Sequence, residues 1–221
     1  MDLRATAVLA IDLQEEYRAG AAYSVAGYDA VLSHAATVIA AARAADVRVV
    51  HAQAWAEPAA PSAYHLLNTT PGSFARSGAA HTAGAALCAE VEPEPQDTVI
   101  RKAWPSAFAG TGLSGKLQAG GVSNLVVFGV WTDSCVRATV FDAVYAGFHV
   151  WLVKDACGSG TDAMHRTAVL DMANRLYGGG VLDARRAVAG LRGEPLCAWR
   201  CTRPVEFLYS VETVTTFYDA L

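Results

Sequence analysis

The chain has 221 residues, 53% hydrophobic and 17% charged, which excludes disorder and supplies one sizeable core. Its 17 basic and 21 acidic residues leave a formal charge of −4, so the basic footprint of a nucleic-acid binder is absent. Five irregularly spaced cysteines argue against a disulfide framework, and no apolar run reaches the length of a membrane span. The short stretch Ala5–Ile11 runs straight into Asp12, as a buried strand does and a signal peptide does not. These features predict a cytoplasmic protein.

Thr6–Ile11 is continuously apolar and predicts a strand buried on both faces. Ala30–Ala45 is rich in alanine, free of Gly and Pro, and predicts a helix. Val47–Ala54 predicts the second strand, and Thr98–Ile100, Asn124–Val130 and Val150–Val153 predict further ones. Val136, Val140, Val144 and Phe148 recur every four residues, which predicts a helix over Cys135–Ala146. Another helix is predicted over Asp162–Tyr177, closed by Gly178-Gly179-Gly180. Such alternation implies an α/β fold with a parallel sheet between helices. Two segments stand apart. Trp55–Gly84 is long and weakly periodic, as lids and covers are. The stretch after Gly190 carries several aromatics without a βα pattern.

In parallel α/β sheets ligands bind beyond the carboxyl ends of the strands. That rule selects Asp12, then Arg101, Lys102 and Trp104, then Trp131–Cys135, and finally Asp155 and Cys157. A thiol opening a helix feels the helix dipole and free N–H groups, and a nearby Lys102 lowers its pKa further. A carboxylate, an ammonium and such a thiol suit nucleophilic attack on a carbonyl carbon. By position alone, Cys135 reads equally well as a small core residue and Asp12 as an acceptor for loop N–H groups. Lys102 likewise reads as a surface residue. Cys157 is the weaker nucleophile, because Gly158-Ser159-Gly160 follows it in place of a helix. Cys197 and Cys201 have no second pair and imply no zinc site.

Asp12 in IDLQ, Lys102 in RKAWPSAFAGTGL and Cys135 in GVWTDSCVRATVFDAVYAGF together resemble the isochorismatase-like cysteine hydrolases. That superfamily includes N-carbamoylsarcosine amidase, biuret hydrolase, maleamate amidase and nicotinamidase. The similarity runs in order from about Ala7 to about Val181. It implies a three-layer αβα sandwich around a six-stranded parallel sheet, with the hydrolase domain over 1–190. Residues 191–221 would be a C-terminal extension packing on the domain or on a partner subunit. It further implies a catalytic triad of Cys135 as nucleophile, Asp12 as general base and acid, and Lys102 as their electrostatic partner. A cis peptide is implied at Val130–Trp131, with the N–H groups of Trp131 and Cys135 forming an oxyanion hole.

The reaction implied is hydrolysis of the C–N bond of a small non-peptide amide, carbamoyl or ureido compound through a thioester. A biosynthetic hydrolase or acyl-transfer enzyme acting on another activated carbonyl and a non-catalytic scaffold are the alternatives, and the intact Asp12, Lys102 and Cys135 argue against the scaffold. Tyr17, Trp104 and Trp131 are expected to line the pocket, the two indoles as flat walls for a planar substrate. Arg137 reads as a carboxylate ligand or as an internal ion pair, and His165 as a substrate contact or a helix-end residue. Ser159-Gly160 stands where relatives carry Asp-Arg. His51 and His65 lack a carboxylate in an Asp-x-His arrangement, so no metal and no other cofactor is expected. A homodimer or homotetramer acting on a small molecule, away from membranes and nucleic acid, completes the expectation.

Overall fold

Strand β1 (Thr6–Ile11) is buried at every position, as its unbroken apolar run requires. It is flanked by β2 (Arg48–Ala54) and β4 (Asn124–Val130), and every pairing in the sheet is parallel. With β3 (Thr98–Lys102), β5 (His149–Gly158) and β6 (Gly180–Leu182) the order is β3-β2-β1-β4-β5-β6. This computed structural model describes residues 1–57 and 77–221. Among them, no helix is long and apolar enough to cross a membrane.

Helices α1 (Tyr28–Ala44), α2 (Leu113–Ala119), α3 (Arg137–Tyr145), α4 (Asp162–Ala173), α5 (Ala184–Leu191) and α6 (Val214–Asp219) flank the sheet. α1 packs on α5, and α3 on α4. The strand order reverses at β1, so the carboxyl ends of β1 and β4 open a crevice there. Gly129 permits the close approach of these strands. Its φ is +128°, and a Cβ there would lie 2.0 Å from the Ile11 carbonyl oxygen.

Three boundaries differ from the sequence reading. β5 runs on to Gly158, past polar Lys154 and Asp155, after a register break against β4 between Val127 and Gly129. The predicted Cys135 helix begins earlier, as a π-helical turn over Thr132–Val136, before α3. Helix α4 stops at Ala173 because Asn174 turns away: its side chain bonds both the N–H and the carbonyl of Phe207, at 2.8 and 3.0 Å. Most of the Trp55–Gly84 segment, residues 58–76, lies outside the described residues.

The segment after Leu191 folds back on β6 and α4. Val181 and Trp199 exchange backbone hydrogen bonds of 2.9 Å, and Phe207 stacks on Trp199 with ring centroids 4.9 Å apart.

Candidate active site

Asp12 is the residue immediately beyond β1, and its φ of +50° turns the chain sharply there. Aspartate tolerates this left-handed region better than most residues. The Asp12 N–H donates to the Ala52 carbonyl at 2.8 Å. Two residues on, the buried Gln14 amide donates to the carbonyls of Ala54 and Ala85 and accepts from the Ala54 N–H. The IDLQ stretch thus ties the end of β1 to the end of β2 and sets Asp12 at the crevice.

Lys102 is the last residue of β3, and its ammonium lies 2.7 Å from Asp12 Oδ2. Both side chains are essentially inaccessible, at 1% and 0% exposure. The ammonium also donates to the Trp104 carbonyl at 3.2 Å. Cys135, on the π-helical turn, interacts electrostatically with both Asp12 and Lys102. The carboxyl ends of β1, β3 and β4 therefore bring one carboxylate, one ammonium and one thiol together.

Burial raises the Asp12 pKa despite the Lys102 charge beside it. The Cys135 thiol is pushed up to about 12, first by burial and then by the Asp12 charge, with Lys102 opposing. Burial works against the Lys102 charge, yet Asp12 and Cys135 together hold its pKa above the ordinary lysine value. The sequence reading expected a thiol acidified by a helix dipole. The structure adds burial of the sulfur and the Asp12 charge beside it, both of which favour the neutral thiol.

Lys102 and Cys135 open into a cavity of about 290 Å³. Tyr17, Trp104 and Trp131 line it, as do Tyr23, Trp55 and Ser77, which the sequence reading did not single out. Trp55 directly follows β2, so the strand-end rule that selected Lys102 selects it equally well. The Tyr17 hydroxyl lies 3.1 Å from Ser77 Oγ, and Arg101 stacks over the Trp55 ring at 3.8 Å. Gly160 leaves room for the Trp131 indole: a Cβ there would lie 2.8 and 2.9 Å from two of its ring carbons. The Val130–Trp131 peptide is cis.

Two expected substrate contacts are corrected. Arg137 is not among the cavity-lining residues; its guanidinium pairs with Asp171 on α4 at 2.6 Å and lies over the Phe141 ring. His165 is also outside the cavity lining, because both ring nitrogens are engaged elsewhere, with Thr132 Oγ1 and the Tyr218 hydroxyl, each at 2.9 Å. Cys157 is buried, its thiol pushed up to about 12 chiefly by burial, and it too lies off the cavity. His51 sits inside β2 with Nε2 3.3 Å from Asp97, and His65 lies outside the described residues. Among the described residues, Glu15, Cys88 and Glu90 approach one another as metal ligands could, but Arg18 pairs with both carboxylates at 2.6 and 2.8 Å. One guanidinium thus offsets one of the two carboxylate charges.

Residues 6–186 match the family model described as the isochorismatase domain. The chain is 33% identical over 156 residues to the uncharacterized isochorismatase family protein YddQ of Bacillus subtilis, covering 71% of this chain and 79% of that protein. It is 28% identical over 201 residues to the maleamate amidohydrolase of Pseudomonas putida, covering 86% and 88% respectively. Among solved structures, a cysteine hydrolase from Pseudomonas syringae superposes with a TM-score of 0.78 at 20% identity, covering 87% of this chain and 95% of that one.

Proposed function

The chain belongs to the isochorismatase family, and from that premise we propose that it is a cysteine-dependent amidohydrolase of small non-peptide amides, working through a thioester on Cys135. One observation carries the reading: the buried Asp12–Lys102 pair, 2.7 Å apart, interacts electrostatically with Cys135, and Lys102 and Cys135 both line an aromatic cavity. The similarity to an amidohydrolase supports amide hydrolysis as the reaction class.

In the proposed cycle the Asp12 carboxylate takes the Cys135 proton as the sulfur attacks the amide carbon. The N–H groups of Trp131 and Cys135 hold the resulting oxyanion. Asp12 passes its proton to the departing nitrogen, the C–N bond breaks, and ammonia or an amine leaves an acyl-thioester behind. Asp12 then deprotonates a water that attacks the thioester. The carboxylic acid departs, and the proton returns to the sulfur. Lys102 stays charged throughout and fixes the carboxylate between its two tasks.

The proton transfer conserves charge inside the buried site, because an anion–ammonium pair with a thiol becomes a neutral acid beside a thiolate–ammonium pair. No unpaired charge is created in the dry interior, where it would cost several kcal/mol. The cavity is near the small end of ligand pockets. Among the described residues Lys102 is the only cation lining it, and Asp12 already holds that charge. This favours small, flat, uncharged amides stacked between Trp104 and Trp131 over amides carrying a carboxylate. A panel of primary amides and ureido compounds, assayed for ammonia, tests the assignment. Ammonia with an equimolar acid from a flat neutral amide supports it; turnover of the same compounds without any C–N cleavage overturns it.

A further inference from the structure

We propose that α6 is a positioning element for the nucleophile: Tyr218, acting through His165 and Thr132, holds the turn that carries Cys135. The inference rests on Cys135 being that nucleophile. It concerns a part of the chain beyond residues 6–186, the stretch that matches the family.

The chain of contacts is short and buried. The Tyr218 hydroxyl lies 2.9 Å from His165 Nε2, and His165 Nδ1 lies 2.9 Å from Thr132 Oγ1. Thr132 is fully buried and is the first residue of the π-helical turn, three positions before Cys135. Within that turn, the Trp131 carbonyl accepts from both the Ser134 and Val136 N–H groups, so the backbone around the cysteine moves as one piece. Asp133 is anchored separately, accepting from Ser159 Oγ at 2.7 Å. Thr132 is therefore where a force from outside the family domain enters the turn.

The outer end of the chain is itself fixed. The Tyr218 carbonyl accepts from the Lys154 ammonium at 2.9 Å, its ring packs edge-on to His165 at 5.4 Å, and the Arg166 guanidinium lies 4.7 Å over the same ring. Arg166 also pairs with Asp219 at 3.1 Å. A tyrosine held at ring, carbonyl and hydroxyl can impose a position on its partner. A buried relay with every polar atom paired is also rigid, since breaking any link leaves a desolvated group without its partner. Nucleophilic attack is sensitive to displacements of the order of an ångström, so a loosened turn degrades catalysis before it degrades folding.

Two variants cut the relay at different links: Tyr218→Phe removes one hydroxyl and keeps the ring contacts, and Thr132→Val removes the other at nearly constant volume. Each is measured for kcat and KM on a converted amide, for Cys135 alkylation by iodoacetamide, and for thermal midpoint. The expected result is a fall in kcat of about tenfold with KM within about twofold, and a parallel fall in alkylation rate. The double variant should fall no further than the worse single one, because both links serve one path. If Tyr218→Phe lowers the thermal midpoint but leaves kcat and alkylation unchanged, the relay only fastens the segment and the proposal is wrong. Additive losses in the double variant also overturn it. Alkylation reads the turn without substrate, and retained turnover in Cys135→Ala would instead sink the enzymatic reading, so the two failures are distinguishable.

Discussion

In the proposed cycle, a thiol at about 12 beside a carboxylate raised by burial reacts only while the carboxylate is ionised. Activity should therefore rise with pH as Asp12 loses its proton, with the acid limb of kcat/KM above the ordinary carboxylate range. The sign of the Lys102 contribution gives a sharper test. Lys102 pulls the Asp12 pKa down against burial, so Lys102→Met should move the acid limb up by about one unit or more. A pH–rate profile of the two proteins checks this, and a downward shift would contradict the assigned pairing. That variant should still fold, because Asp12 can neutralise itself by keeping a proton instead of remaining a bare buried anion. Asp12, Lys102 and Cys135 were legible in the sequence because each ends a strand or lies in the turn that directly follows one. The state of the thiol was not, since burial and the Asp12 charge beside it are properties of the packed site.

Strand β1 and the turn after β4 show how much a local element contributes to the site. The apolar runs of β1, β2 and β4 predicted those strands within a residue, because burial on both faces leaves no other composition. The helix around Cys135 was read correctly in register but not in form, since fourfold apolar spacing does not distinguish a π-helical start from an α-helical one. Arg137 and His165 lie near the nucleophile in sequence or fold, yet their partners Asp171, Thr132 and Tyr218 are remote in sequence, so proximity alone misassigned them. Gly160 illustrates an element built around one side chain. Gly160→Ala drives a methyl group against the Trp131 indole and should displace that cavity wall. The expected outcome is a KM raised about tenfold or more for flat amides with a smaller change in thermal midpoint, read from steady-state kinetics. An unchanged KM would mean that the indole does not touch substrate.

For the molecule as a whole, the buried imidazole of His165 couples stability to pH. Burial lowers its pKa from 6.5 to about 4, so below about pH 6.5 the unfolded chain binds a proton that the folded chain does not. Stability should decline as pH falls from about 6.5 towards about 4, with His165 accounting for about 3 kcal/mol of that loss. Denaturant titrations at several pH values check this, and His165→Gln should flatten the slope over the same interval. Five of the six strands and helices α1, α3 and α4 could be read from the sequence, whereas β6, α2, α5 and the path of residues 191–221 could not. Its contacts are single aromatics and hydrogen bonds without periodicity, such as Trp199 on the edge of β6 and Tyr218 against α4. What these layers serve, in the proposed function, is a covalent step at one sulfur. The measurement to make is ammonia release from a converted amide by Cys135→Ala beside the unaltered protein. A fall of about 10³-fold or more is predicted; a rate within tenfold of the unaltered protein would contradict nucleophilic catalysis by this cysteine.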